Sequence, residues 1–249
     1  PIARTLSNGT WGVEEALSRF ESSKLIHRIA VDGAPIVQVI SDRRITLEYY
    51  KNGVIHHLAS MSLMAAAIRA QRAAFEEKKT VKNDSEAADE ILRLFAEQIF
   101  LLRYEVTLNP EEDILQLHEN TLKQLKKYGA IQYSKRGISI ANREYIIELA
   151  ELTRNLLEST FLTLRGARAL RTRDLDQKSM ASALQEIGAN LLSVDELRRP
   201  EALSMVNLRN SIRSFHDEGI LSFRSDGRGL ELDDTVIGEH INDLEQLLV

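Results

Sequence analysis

From Asn52 to Ile68 the chain carries no formally charged side chain. A run of that length must be covered by something, and its periodicity says how. At about 100° per residue, Leu47, Tyr50, Val54, Leu58, Met61, Ala65 and Ile68 share one helical stripe. Ile45, Tyr49, Asn52, His56, Ala59 and Leu63 fall on the opposite side. A helix that is apolar on both sides belongs inside a protein. A membrane span would need about 20 apolar residues, and Asn52, Gly53, His56, His57, Ser60 and Ser62 interrupt this run too often. The sequence therefore predicts one continuous, buried central helix, capped by Asp42 and reaching Arg72. Asn52 and His56 lie one turn apart on its second side. Both should be buried and hydrogen-bonded, since an unpaired polar group there costs about 1–3 kcal/mol.

The flanking segments are shorter. Ile26 to Val31 and Ile36 to Ile40 are β-branched runs around Asp32-Gly33-Ala34-Pro35, a hairpin signal. Asn109-Pro110 reads as a helix start with acids behind it, and Asn142 opens a long helix through Ile146, Leu149, Thr153, Leu156, Thr160 and Leu164. Ser193 to Glu196 fits a capping box, and Pro200 opens the helix that ends near His216. Leu122 to Asn142 and Ile212 to Asp234 echo each other: a helix, a glycine, a short strand, a polar turn and a second strand. That order is the tail of a winged-helix unit. The expected fold is mainly α, of α+β class: a helical bundle around the buried central helix, with small β-hairpins and two winged-helix-like modules. Residues 1–80 would hold the hairpin and central helix, and residues 81–249 the helix–hairpin units, together forming one compact domain.

Tyr49-Tyr50-Lys51-Asn52, then His56, then Ser62-Leu63-Met64-Ala65-Ala66 resembles a segment of the membrane-associated glycerol-3-phosphate acyltransferases, downstream of their acyltransferase domain. Leu101 to Glu105 and Asp217 to Ile220 continue the resemblance in the family's order. It implies the C-terminal, non-catalytic region of an enzyme that moves an acyl chain from acyl-CoA or acyl carrier protein to glycerol 3-phosphate. The implied partners are the catalytic domain, in the same chain or a separate one, and a membrane surface on its cytoplasmic side. No cofactor and no metal is implied. Many relatives have proline where Met61 stands, so a straight helix through this point is expected.

His27 and Asp32 match the His-x4-Asp signature of glycerolipid acyltransferases, but they stand too close to Tyr49 to be the family's catalytic pair, and the companion blocks are absent. They are read as a decoy within a half-buried strand. Tyr49, Tyr50, Lys51, Asn52, His56 and Ser62 are the candidate binding or interface residues. Arg165, Arg168, Arg171 and Arg173 could meet a phosphate or headgroup, or simply favour a helix C-terminus. With 32 Lys and Arg against 37 Asp and Glu the net charge is −5, which argues against a general nucleic-acid binder. A winged-helix DNA-binding or protein-interaction module is the competing reading. Cysteine is absent, which removes disulfides and thiolate chemistry.

Overall fold

A computed structural model describes residues 10–31, 34–78, 84–107, 112–134, 137–224 and 229–248. These residues are mainly helical, with small antiparallel two-stranded sheets. The chain divides into two units, residues 1–54 and 55–249.

In the smaller unit, α1 (Thr10–Ser22) leads through a turn at Lys24, whose φ is 54°, into β1 (Ile26–Val31). β1 pairs with β2 (Ala34–Val39), placing Ile29 opposite Ile36 and His27 opposite Gln38. Alternation gives this hairpin two faces. Arg28 reaches Glu14 at 2.8 Å and the Ser18 hydroxyl at 3.1 Å, so its face looks onto α1. The face carrying His27, Ile29, Val31, Ile36 and Gln38 is the other one. A 3-10 turn at Ser41–Arg43 then opens α2 (Arg44–Ile55).

The long central helix is a pair of helices. α2 stops at Ile55, residues 56–58 turn, and α3 (Ala59–Lys78) begins. Uncharged periodicity runs through the break, so the pattern alone conceals it. At the turn the Leu58 N–H donates to the Ile55 carbonyl at 2.9 Å, and His56 accepts a bond from another segment. The helix does run straight through Met61, and from Ala59 to Gln71 all but Ser60 and Arg69 are buried.

In the larger unit follow α4 (Asp84–Leu101), α5 (Ile114–Lys127), β3 (Ile131–Ser134), β4 (Gly137–Ile140), α6 (Arg143–Glu151) and α7 (Arg154–Leu170). They are succeeded by α8 (Gln177–Ser193), a 3-10 turn at Pro200–Leu203, α9 (Met205–Asp217), β5 (Leu221–Phe223), β6 (Leu230–Leu232) and α10 (Asp234–Leu247). Two buried helices divide the role expected of one. α3 packs against α4, α5, α6 and α10, while α7 packs against α8, α9, α10 and β6. Of α7 only Arg165, Arg168 and Ala169 escape burial. Close approach depends on glycine here: a Cβ on Gly166 would meet Leu184 at 2.0 Å, and one on Gly188 would meet Leu162 at 2.7 Å.

The sequence echo is real as helix plus hairpin. After α5 the chain reverses at Gly129 (φ 72°), with the Ala130 N–H bonded to the Leu125 carbonyl; after α9 it reverses at Gly219 (φ 69°), with the Ile220 N–H bonded to the Phe215 carbonyl. This is the six-to-one closure of a helix ended by a left-handed residue.

Other boundaries move. Asp113, not Asn109, caps α5, its carboxylate accepting from the Gln116 N–H at 2.8 Å; Pro110 lies outside the described residues. The helix opened by Asn142 breaks after Glu151, because the Thr153 N–H donates to the Ser62 hydroxyl at 3.1 Å rather than to a helical carbonyl. No helix starts at Ser193 to Glu196: these residues end α8, with Asp195 at φ 59°. Pro200 opens only the 3-10 turn, and α9 begins at Met205.

Candidate functional site

The residues singled out around the uncharged run fall in both units. Tyr49, Tyr50, Lys51 and Asn52 lie on α2 in the smaller unit, and His56 and Ser62 in the larger. The side chains of Tyr49, Tyr50 and Asn52 lie outside the described residues; Lys51 is half-buried. Ser62 is wholly buried, its hydroxyl 2.8 Å from that of Thr153, where it joins α3 to the start of α7. It therefore serves the core, satisfying a backbone N–H that the helix break would otherwise orphan.

His56 stands at the α2–α3 turn. Its Nδ1 accepts the Thr107 N–H at 3.0 Å. An accepting Nδ1 leaves Nε2 as the proton-bearing nitrogen. The turn forms one wall of a cavity of about 500 Å³, lined by His56, His57, Ser60, Thr107, Glu112 and Lys123 among others. Asn120 donates to Glu112 at 2.7 Å, and Lys123 reaches Glu119 at 2.8 Å. The fixed tautomer and the polar walls make this the clearest concave site among the described residues.

The two weaker motifs converge. Tyr104 donates its hydroxyl to Asp217, and Arg103 pairs with Glu218 at 2.9 Å. The Arg213 guanidinium lies 4.2 Å from the centre of the Tyr104 ring, a cation–π contact. The bond from Tyr104 holds the Asp217 carboxyl below the usual range. Burial pushes Glu105 up, against a weaker downward pull from Asn210.

Most of the arginine cluster is internally engaged. Arg165 pairs with Glu196; Arg168 donates to the Asp234 carbonyl at 2.7 Å; Arg171 meets the Asp234 carboxylate at 2.6 Å. Arg173 is exposed. At the chain's other end, His27 lies exposed on β1, and Asp32 falls outside the described residues.

Sequence reasoning missed two charged networks. Arg154 and Glu158 are buried and bonded at 2.8 Å, Glu158 also accepts the Arg199 N–H at 2.8 Å, and Glu151 joins Arg154 to Arg199. Burial would raise the Glu151 carboxyl, but Arg199 and Arg154 outweigh it and hold it low. Between α4 and α10, Arg93 grips both oxygens of Asp243 at 2.7 and 2.8 Å, and His240 bonds Glu97. Spacings of four residues, Arg154 to Glu158 and Arg93 to Glu97, are the signals the sequence offered. Among the described residues no group of His, Asp and Glu could hold a metal ion, and no helix is long and apolar enough to cross a membrane.

The remaining surface of note is the hairpin. Ile29, Val31, Ile36, Val37 and Val39 are each 42–45 % exposed. In the smaller unit the buried apolar residues among those described are Leu25 and Ile26.

The described residues are those of a mainly helical protein with helix–hairpin repeats, buried ion pairs and an exposed apolar hairpin in the smaller unit. The family model for the glycerol-3-phosphate acyltransferase C-terminal region matches residues 1–224, and the chain belongs to that family. Among curated proteins none matches the chain.

Proposed function

We propose that this chain is a non-catalytic region of a glycerol-3-phosphate 1-O-acyltransferase, and that the β1–β2 hairpin is the face it presents to the catalytic domain of the same enzyme. The uncovered hairpin carries the proposal. A unit of about 50 residues is too small to bury its own apolar surface well. Ile29 and Ile36 face each other across the ladder, with Val31 beside them, on the side turned away from α1. Both strands of a two-stranded sheet are edges, and uncovered edges with β-branched side chains invite a partner. Family membership makes the acyltransferase domain the fitting partner. Acyl transfer from acyl-CoA or acyl carrier protein to glycerol 3-phosphate, the first step of phospholipid synthesis, would then occur on that domain, with this region held peripherally at the cytoplasmic side of the membrane. The net charge of −5 disfavours duplex DNA as the partner.

The test is co-expression with a catalytic domain of the family. Affinity capture and acyl transfer to glycerol 3-phosphate would be measured for the native chain and for Ile29→Asp and Ile36→Asp. The expected result is capture and support of activity by the native chain, both lost in the variants while circular dichroism stays unchanged. Capture equal in all three would overturn the assignment of the hairpin. Acyl transfer by this chain alone, vanishing in His27→Ala, would overturn the non-catalytic reading.

A further inference from the structure

The hydrogen-bond register of the β1–β2 hairpin decides which of its edges is open. The Ile40 N–H donates to the Leu25 carbonyl at 3.1 Å, one step beyond the Ile26–Val39 pair. In an antiparallel ladder, opposite residues alternate between pairs that bond each other and pairs whose N–H and C=O groups point outward. His27–Gln38, Ile29–Ile36 and Val31–Ala34 therefore bond across the hairpin. Ile26–Val39, Arg28–Val37 and Ala30–Pro35 aim their backbone groups outward. Proline suits such an outward position, since it has no N–H to leave unpaired.

The two edges differ. On the β1 side α1 packs against the strand, and the outward N–H of Arg28 donates to the Glu21 carboxylate at 3.3 Å. On the β2 side the N–H and C=O groups of Val37 and Val39 have no partner among the described residues. In the larger unit β6 has its outward group taken: the Leu230 N–H donates to the Arg171 carbonyl at 3.0 Å.

Edge strands that stay unpaired are commonly guarded by charge or a bulge. β2 reads Ala-Pro-Ile-Val-Gln-Val and carries no charged side chain. Ile36 is 44 % exposed on one face, and Val37 and Val39 are 43 % and 42 % exposed on the other. We infer that β2 accepts a third strand: an extended, uncharged segment of the catalytic domain, rich in β-branched residues, paired with Val37 and Val39. This rests on the reading that the hairpin meets the catalytic domain, and it adds the edge and the kind of segment. Each of the two valines offers one donor and one acceptor, so the backbone supplies affinity. Ile36 on one face and the valines on the other select apolar side chains on both sides of the guest. A third strand also takes the sheet past the marginal stability of a lone hairpin.

The experiment follows amide hydrogen exchange, resolved to single residues by mass spectrometry, in the intact chain alone and in complex with a catalytic domain of the family. The Val37 and Val39 amides should exchange rapidly in the chain alone and at least about tenfold more slowly in the complex. The Ile36 and Gln38 amides, bonded to β1, should be protected in both. Val37→Pro removes one outward N–H and leaves the bonds between β1 and β2 in place. It should weaken capture about tenfold, the worth of one hydrogen bond, whereas Val37→Thr, which keeps that N–H, should not. Continued protection of the Gln38 amide in Val37→Pro shows that the hairpin persists. Capture without slowed exchange at Val37 and Val39, or capture unchanged in Val37→Pro, would overturn the third strand and leave the hairpin as the docking face. Absence of capture would overturn both. Slowed exchange that appears in the chain alone and grows with its concentration would give the edge to a second copy and overturn the inference.

Discussion

Tyr104 and Asp217 are 113 residues apart in the chain and joined by a hydrogen bond. Beside them Arg103 pairs with Glu218, and its guanidinium also donates to the Ser214 carbonyl at 3.3 Å. The segment after α4 is thereby locked to the C-terminal end of α9, which explains why two short motifs, each weak alone, occur in one chain. Both ends of the Arg103–Glu218 pair are about three-quarters covered by protein, so solvent screens it less than an open surface pair. In a double-mutant cycle of Arg103→Ala and Glu218→Ala, urea denaturation should give a coupling of about 0.5–1 kcal/mol. A coupling of zero would mean that the two motifs touch without depending on each other.

Glu158 carries a heavier load. Its carboxylate is 1 % exposed and takes bonds from the Arg154 side chain and from the N–H groups of Arg198 and Arg199. Replacing it with alanine strips the buried Arg154 Nε and two backbone donors of their acceptor, while Glu151 and the Leu248 carbonyl still hold the rest of the guanidinium. Removing one partner of a buried pair costs about 3–5 kcal/mol, so Glu158→Ala should be the most damaging single polar substitution in α7. Glu158→Gln keeps an acceptor oxygen and should cost roughly half as much. Equal midpoints for the two variants in thermal unfolding would contradict this.

How much of this could be read from the sequence depends on where each signal is encoded. A cap was legible where a local residue does the capping: Asn142 holds the first turn of α6 from its side chain. The helix–glycine–hairpin echo was legible because Gly129 and Gly219 answer a local backbone demand. The breaks at His56 and Thr153 were not. Each is fixed by a partner in a distant segment, Thr107 in one case and Ser62 in the other, while the apolar period runs unbroken across both. Ser62 read as an interface residue because it stood within a motif; its partner, 91 residues away, makes it a core residue. The cavity was invisible, since half of its wall comes from residues around α5 that share no pattern with His56.

His240 gives the protein a pH dependence whose sign can be worked out. The bond from Glu97 raises its pKa, with further upward pulls from Asp243 and Glu239, against a lowering by burial. Arg93 sits in the same network, on Asp243, Glu90 and Glu97. A raised folded-state pKa means that the native protein holds the proton more tightly than the unfolded chain. The stabilisation is therefore fully present below the unfolded value of about 6.5 and fades as pH rises through the folded value. His240→Gln should cost about 1–2 kcal/mol near pH 6, the scale of one charged hydrogen bond, and progressively less at higher pH. The check is urea denaturation of both proteins from pH 5.5 to 9. A gap between them that widens with pH would reverse the assignment.

The last helix closes the larger unit, although the family match ends at residue 224. α10 buries Ile237, Ile241, Leu244 and Leu247 and touches both α3 and α7. Its C-terminal carbonyls are held by two arginines: Arg69 donates to Leu247 at 2.8 Å, and Arg154 to Leu248 at 2.7 Å. Cations at this end also complement the helix dipole. At the other end its cap is Asp233, which accepts the Thr235 and Val236 N–H groups. Ending the chain at Asp233 would uncover the apolar sides of α3 and α7 and strip Arg154 of one acceptor. The truncated protein should lose cooperative unfolding and bind a hydrophobic dye. A milder probe is Leu244→Ala, at a fully buried position, for which a cavity of that kind costs about 2–5 kcal/mol. If the truncated chain instead unfolds with the native midpoint and slope in urea, α10 is an appendage, and the fold of residues 55–233 stands without it.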